Sequence, residues 1–195
     1  MSNKKRTLLL VSIILGAIIL SLLINLCISL VQGSSYPIKY SEQVEKYASK
    51  YNVPEYIIYA VIAADSKFEC STQYEDGSQG LMHISPQVLK KLSSPEHLDE
   101  DVNQDSLASA DVSVRYGAYY LKYLFDRYKS WDTAIVAYNA GESAVTEWLR
   151  SGKYSTDGIN LKEIPLDSAE DYFEDVSDAI NYYKNEYYRN GVSVK

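Results

Sequence analysis

Two hydrophobic patterns divide the chain. Residues 7–31 contain no charged side chain, so they form one continuous apolar run. After this run, apolar residues recur every three to four positions, which is the period of an amphipathic helix. No stretch alternates apolar and polar residues convincingly, as a half-buried strand would. The pattern therefore predicts an all-α domain that follows one long apolar segment.

The apolar run is long enough to cross a membrane. A helix of 25 residues rises about 37 Å, more than the ~30 Å hydrocarbon core of a bilayer. Three basic residues precede the run and none follows until Lys39. The positive-inside rule then places the N-terminus in the cytoplasm and the rest outside the cell. We expect a cytoplasmic tail at 1–6 and a single-pass transmembrane anchor at 7–31. A cleaved signal peptide is the alternative, although its apolar region is usually shorter and ends in a small-x-small site.

A linker at 32–40 is predicted to lead into a helical domain at 41–190. The apolar spacing and the turn residues predict helices at 41–51, 52–65, 85–92, 111–128, 132–140, 143–150 and from 168 to about 187. Asn52, Asp132 and Ser168 are the expected N-caps, and Ser168 with Asp171 resembles a capping box. Gly141 is expected to end its helix in the left-handed conformation.

The net charge limits the possible binding partners, and the cysteine positions bear on disulfide bonds. The net charge is −7, and removing the three basic residues of the N-terminal tail leaves −10 on the remainder. This argues against nucleic acid and against an anionic lipid surface as a partner. Cys27 lies inside the apolar run and Cys70 beyond it, so no disulfide is expected. No metal or cofactor is expected either.

Asp65 is the candidate catalytic side chain. Ile58, Val61, Ile62 and Asp65 share one helical face, so the carboxyl group ends an apolar stripe. Desolvation and the negative end of the helix dipole should both raise its pKa, as a general acid requires. An acid at a helix end is, however, more often a solvated or structural residue. The chain also has 19 tyrosines against three phenylalanines. Most fit helical cores, and the remainder would suit a groove that binds sugar rings.

A series of motifs follows Asp65 in a recognisable order. Asp65-Ser66 is followed fifteen residues later by Gly80-Leu81-Met82-His83. Further on come 116–121, Ala137-Tyr138-Asn139-Ala140-Gly141, Val145 with Trp148, and Ile164-Pro165 before Tyr172. This order resembles the soluble-lytic-transglycosylase (SLT) family, whose lysozyme-like helical domain cleaves the glycan strands of bacterial peptidoglycan. The resemblance spans residues 36–188.

The resemblance implies a mechanism and a set of roles. In the family, one carboxylic acid protonates the β-1,4 oxygen between N-acetylmuramic acid (MurNAc) and N-acetylglucosamine (GlcNAc). Its conjugate base then helps the muramoyl 6-hydroxyl close a 1,6-anhydro ring, so a second carboxylate is not required. Asp65 would be this acid, and Tyr138 would hold its carboxyl by a hydrogen bond. The expected substrate-binding residues are Ser66, Gly80, Leu81, Met82, His83, Asn139, Ala140 and Tyr172.

Three departures from the family pattern bear on activity. Asp65 replaces the family's Glu, which withdraws the carboxyl by about 1.5 Å, and His83 replaces a Gln. After Ile164-Pro165 the family's acid has become Ser168, for which neighbouring Asp167 or Glu170 could partly substitute. Glu69, one helical turn beyond Asp65, is the alternative acid.

These departures leave three hypotheses open. The leading one is a membrane-anchored lyase of peptidoglycan with reduced activity. The second is an inactive peptidoglycan-binding pseudoenzyme, and the third is a scaffold of a cell-envelope complex whose protein partners the sequence does not specify.

Overall fold

This computed structural model describes residues 13–26, 36–71 and 73–188. The chain divides into two compact units, residues 1–37 and residues 38–195. In the first unit, residues 13–26 are helical (α1), and large apolar side chains such as Ile13 and Leu22 are exposed.

The described residues include no helix that is both long and apolar enough to cross a membrane. Residues 7–12 and 27–31 of the predicted anchor, together with the tail 1–6 and Cys27, lie outside the described residues. The anchor therefore stays a prediction.

The second unit is helical, as the apolar spacing predicts. Its helices are α2 (Ser41–Tyr51), α3 (Glu55–Ser66), α4 (Pro86–Leu92), α5 (Ala110–Tyr128), α6 (Trp131–Ala140), α7 (Glu142–Arg150) and α8 (Asp167–Glu186), with a 3-10 helix at Gln104–Ala108. Extended pairing within the described range is limited to isolated bridges of Gln79 with Gln73 and with Ile84. The all-α prediction is thus confirmed for this unit.

Helix α3 lies at the centre of the unit, which places its C-terminal end in the interior. It packs mainly against α8, while α5 packs against α2 and α6. Residues 57–63 of α3 are all buried, so the helix is apolar on nearly every side. A helix that is hydrophobic all round belongs in a core. Tyr59 stacks on Tyr183 of α8, with 5.3 Å between the ring centroids.

The end of α3 is fixed by two residues in the left-handed conformation. Lys67 and Phe68 have φ angles of 49° and 67°, and the Phe68 side chain is buried. The chain therefore leaves the helix directly after Ser66. Glu69, which a continued helix would bring one turn beyond Asp65, is exposed instead.

Three predicted N-caps are wrong, and the reason is the same in each case. An N-cap needs an extended backbone immediately before the first helical turn. Asn52 has φ 54° and caps the C-terminus of α2, donating its N–H to Ala48. Ser130, with φ −134° and ψ 128°, caps α6 in place of Asp132. Ser168 lies inside α8, which begins at Asp167 without a side-chain cap.

Two other helix-end predictions have different outcomes. The predicted start of α4 is confirmed, and Ser85 is its N-cap, because its hydroxyl accepts a hydrogen bond from the amide of Val88 at 3.3 Å. Gly141 does end α6, but with φ 85° and ψ 149° it lies outside the left-handed helical region and also precedes α7.

The polar connection between α4 and α5 packs against the segment that follows α3 and forms hydrogen bonds with it. Its 3-10 helix buries Leu107 completely. The Gln104 amide donates to the carbonyls of Gly77 at 3.0 Å and Ile84 at 2.8 Å. The irregular segment 73–85 is thereby held against the helices that surround α3.

Candidate active site

Close packing holds the segment after Asp65 against α5. Gly80 has φ 85°, and a Cβ at this position would lie 2.3 Å from the carbonyl oxygen of Leu107. Nearby, the Ser113 hydroxyl of α5 accepts the amide hydrogen of Met82 at 3.1 Å. Gly117 leaves room for the Met82 side chain, because a Cβ there would lie 2.3 Å from its sulfur. Only glycine fits at either position without displacing its neighbours.

The buried Ser66 hydroxyl ties this segment to α3. Its Oγ lies 2.9 Å from the carbonyl oxygen of Leu81 and 3.2 Å from that of Ile62. Ser66, the residue next to the candidate acid, therefore fixes the position of the backbone at Leu81.

A groove of about 210 Å³ opens where the end of α3, the segment after it, α5, α6 and α8 meet. Its lining combines polar, aromatic and aliphatic residues. The lining residues are Asp65, Asp76, His83, Ile84, Ser85, Val88, Tyr120, Tyr138, Asn139, Ala140, Gly141 and Tyr172.

Asp65 is only partly exposed, and its Oδ2 atom is buried with no hydrogen-bond partner among the described residues. Burial raises the pKa of Asp65 to about 8, while the nearby Tyr172 hydroxyl acts in the opposite direction. The predicted rise of the pKa is confirmed in direction, and desolvation is its cause; the helix dipole, the other predicted cause, does not contribute to it. At neutral pH the carboxyl group is protonated, so it can donate a proton.

Tyr138 differs from the expected arrangement. Its hydroxyl donates to the carbonyl oxygen of Met82 at 2.6 Å instead of to Asp65. A phenol has one hydrogen to donate, so this bond excludes a second one to the acid. Burial, and after it the charge of Asp65, raises the pKa of Tyr138 well above its ordinary value. In this structure Tyr138 positions the segment after α3, and Tyr172 is the phenol that interacts with the carboxyl of Asp65.

His83 and Asp76 form a second polar group in the groove. The His83 ring stacks on Tyr74, with 3.8 Å between centroids, and its Nε2 lies 3.7 Å from Asp76 Oδ1. Desolvation lowers the pKa of His83, and the charge of Asp76 offsets this only in part. Hydrogen bonds from Ser78 lower the pKa of Asp76. The pair therefore consists of a neutral imidazole and an ionised carboxylate at neutral pH.

The predicted site residues separate into two sets. Six of them line the groove: Asp65, His83, Tyr138, Asn139, Ala140 and Tyr172. The other four, Ser66, Gly80, Leu81 and Met82, are buried and outside the lining, so their assignment as substrate contacts stays a prediction. Their hydrogen bonds and close packing fix the backbone that leads into His83.

Glu69, the alternative to Asp65, and the two residues expected to stand in for the family acid at position 168 lie outside the groove. Glu69, Asp167 and Glu170 are exposed and outside the groove lining. The lining residues that the sequence did not identify are Asp76, Ile84, Ser85, Val88, Tyr120 and Gly141. Tyr120 was hidden among helical core positions, and Asp76 sits in a turn of a kind that is usually solvated.

No group of His, Cys, Asp and Glu side chains in the described part of the chain could hold a metal ion. The Cys70 thiol is free and donates to the Ala108 carbonyl at 2.8 Å.

A helical fold built around one buried carboxyl group in an open groove defines a lysozyme-like domain. The chain belongs to the SLT family, since the model for the transglycosylase SLT domain matches residues 42–160.

Solved structures share this fold. An inactive mutant of the lytic transglycosylase Slt from Pseudomonas aeruginosa has a TM-score of 0.67 at 23% sequence identity. The 70 kDa soluble lytic transglycosylase SLT70 from Escherichia coli has a TM-score of 0.68 at 21% identity, as does its complex with bulgecin A. Each match covers 77% of this chain and 25% of the other. The chain thus spans about a quarter of the length of these proteins.

Proposed function

We propose that this protein is a peptidoglycan lytic transglycosylase that cleaves the β-1,4 bond between MurNAc and GlcNAc and leaves a 1,6-anhydro-MurNAc end. The observation that carries the proposal is the state of Asp65, whose buried carboxyl group is protonated at neutral pH and lines a groove within an SLT fold. A general acid must hold its proton at the working pH.

The proposed reaction uses Asp65 twice. Its carboxyl group protonates the glycosidic oxygen as the bond to the anomeric carbon breaks. The resulting carboxylate then accepts the proton of the muramoyl 6-hydroxyl, which closes the anhydro ring. This route needs neither a second carboxylate nor an external water. Tyr172 interacts with the acid, while Asn139, Ala140 and the ring of Tyr120 supply groove surface for the glycan.

We expect cleavage to be slow compared with an enzyme that has glutamate at this position. The missing carbon withdraws the carboxyl by about 1.5 Å, and a misplacement of about 1 Å can lower a rate ~10²-fold. Asp65→Glu should therefore increase the rate, because the longer side chain restores the reach that the missing carbon removes.

We further propose that residues 7–31 anchor the domain in the cell membrane with its groove on the cell-wall side. The support is the charge-free run of 25 residues and the basic residues on its N-terminal side.

The test is the product released by the purified full-length chain from peptidoglycan. Wild type should release 1,6-anhydromuramoyl products, identified by mass, and Asp65→Asn should release none because an amide cannot cycle a proton. Glu69→Gln is the matched control, since Glu69 is an exposed acid outside the groove and its loss should change nothing. Equal release by wild type and Asp65→Asn would overturn the assignment of the acid.

A glycan-binding pseudoenzyme is the second candidate. The observation that favours it is that Asp65, His83 and Ser168 depart from the family pattern, while Tyr138 and Asn139 are kept and line the groove. In that case wild type would sediment with insoluble peptidoglycan without releasing product, and Asp65→Glu would release it.

A further inference from the structure

A second titratable side chain, His83, shares the groove with Asp65. One tyrosine connects the two: the Tyr74 hydroxyl donates to the backbone carbonyl of Asp65 at 2.7 Å, and the Tyr74 ring stacks on His83. About 31% of the His83 side chain is exposed, so the ring can contact a molecule in the groove. The imidazole is held in place relative to the acid.

Asp76 lies beside the imidazole. Its Oδ1 lies 3.7 Å from His83 Nε2, a buried nitrogen that lacks a hydrogen-bond partner among the described residues. The carboxylate is itself fixed by the amide of Ser78 at 3.0 Å and by the Ser78 hydroxyl. At this distance the two groups interact through charge and not through a hydrogen bond, and the negative carboxylate favours the tautomer with the proton on Nε2. The lone pair is then on Nδ1, which can act as a base.

The backbone at His83 is held in an uncommon conformation. Its φ of 46° lies in the left-handed region, which few residues other than glycine adopt. The conformation is kept by the neighbouring contacts, because the His83 amide donates to the carbonyl of Gly80 at 3.3 Å and the Met82 amide to Ser113. Backbone strain of this kind concentrates at functional sites.

We infer that His83, beside Asp76, is a second catalytic residue that activates a water molecule, so that part of the turnover ends in hydrolysis instead of ring closure. The inference rests on the proposed function, because it concerns the fate of the same cleaved bond. It assigns this chain a base where the family resemblance implied a substrate-binding amide.

The hydrolytic step balances as follows. Asp65 gives its proton to the glycosidic oxygen, which leaves with the electron pair of its bond to the anomeric carbon. The water oxygen forms a bond to that carbon, and its proton passes to His83 Nδ1. The proton then returns to the Asp65 carboxylate through solvent, and the net change is the addition of one water. Burial lowers the pKa of His83, so the ring is uncharged and able to accept the proton at neutral pH.

The test measures the ratio of two products. Peptidoglycan whose existing reducing ends have been removed with borohydride is incubated with the full-length chain, and new muramoyl ends are separated by mass. Hydrolysed ends are heavier than anhydro ends by one water. Wild type should give both kinds.

His83→Gln should lower the ratio of hydrolysed to anhydro ends about 10²-fold or more, the usual contribution of a general base. Asp76→Asn should lower the ratio less, and Glu75→Gln, which removes an exposed neighbouring acid, should leave it unchanged.

Each other outcome has a distinct meaning. Anhydro ends alone from wild type, or an unchanged ratio in His83→Gln, would overturn the role of His83 and leave the proposed function standing. Hydrolysed ends alone would overturn ring closure and support the base. No new ends of either kind would overturn both. If His83→Gln fails to fold, His83→Asn replaces it, because asparagine tolerates the left-handed backbone.

Discussion

At the scale of single residues, Asp65 is a carboxyl group that the fold keeps uncharged. Burial outweighs the opposing interaction with Tyr172, so the pKa of Asp65 rises to about 8. Between the ordinary pKa of 3.8 and this value, the folded chain binds one more proton than the unfolded chain. Stability therefore falls as pH rises through this window, by at most about 1.4 kcal/mol per pH unit.

Asp65→Asn should remove this pH dependence. The amide has similar volume and no charge to desolvate, so the variant should gain stability relative to wild type as pH rises from about 4 to about 8.5. Thermal unfolding at several pH values measures the difference. Glu69→Gln serves as the control, because its exposed carboxyl group loses little hydration on folding. A constant difference between Asp65→Asn and wild type across this range would contradict the buried, protonated state.

The burial and the raised pKa of Asp65 could be predicted from the sequence, but the contacts made by the side chains around it could not. The apolar face that ends at Asp65 is a local pattern, so the raised pKa followed from helical spacing alone. The hydrogen bond of Tyr138 joins residues 56 positions apart in sequence, and no local pattern encodes which carbonyl it meets. The contact of Asp76 with His83 could not be predicted either, because the position of the His83 ring depends on its stacking against Tyr74.

At the scale of elements, the segment between α3 and α4 is shaped by two glycines. Gly80 approaches the backbone of Leu107, and Gly117 on α5 makes room for Met82. These contacts carry the backbone that presents His83 to the groove. The sequence motif around Gly80 was predicted to bind substrate, and in the structure Gly80 packs closely against Leu107 and Ser113.

Gly80→Ala should destabilise the fold. The added Cβ would meet a backbone oxygen at 2.3 Å and would occupy a left-handed φ of 85°. Overpacking and strain together should lower the free energy of unfolding by about 2 kcal/mol or more. Gly152→Ala is the control, because nothing lies within 4 Å of a Cβ there. Denaturant unfolding distinguishes the two. Native stability together with weaker glycan binding in Gly80→Ala would contradict the packing role and support the predicted substrate contact.

Helix positions were largely predictable, and helix starts were not. The apolar period that defines a helix is averaged over many residues, so α2, α3, α5, α6 and α7 appear close to their expected ranges. An N-cap depends on the φ and ψ of one residue, and several Ser, Asn and Asp residues near each start offer comparable side chains. Ser130 and Asp132 illustrate this, since only the extended backbone of Ser130 makes it the cap.

At the scale of the whole molecule, the proposed anchor determines where the groove acts. If residues 7–31 span the membrane, the full-length chain should stay with membranes after high-salt washing. External protease should remove the domain from cells whose wall has been stripped. Replacing Ile19 and Leu22 by Arg should release the chain, since each charge at the helix centre costs about 2.5–3.5 kcal/mol. A soluble wild-type product that begins near residues 32–35 would show a cleaved signal peptide instead.

Cleavage of the glycan by a protonated Asp65 is tested most directly by the pH dependence of anhydro-product release. A general acid works only while it holds its proton, so the rate at low substrate concentration reports its pKa. With the pKa of Asp65 at about 8, release should persist through neutral pH and fall about tenfold per pH unit above pH 8. A rate that already falls above pH 4 to 5, as for a solvated carboxyl group, would contradict the assignment of buried Asp65 as the acid.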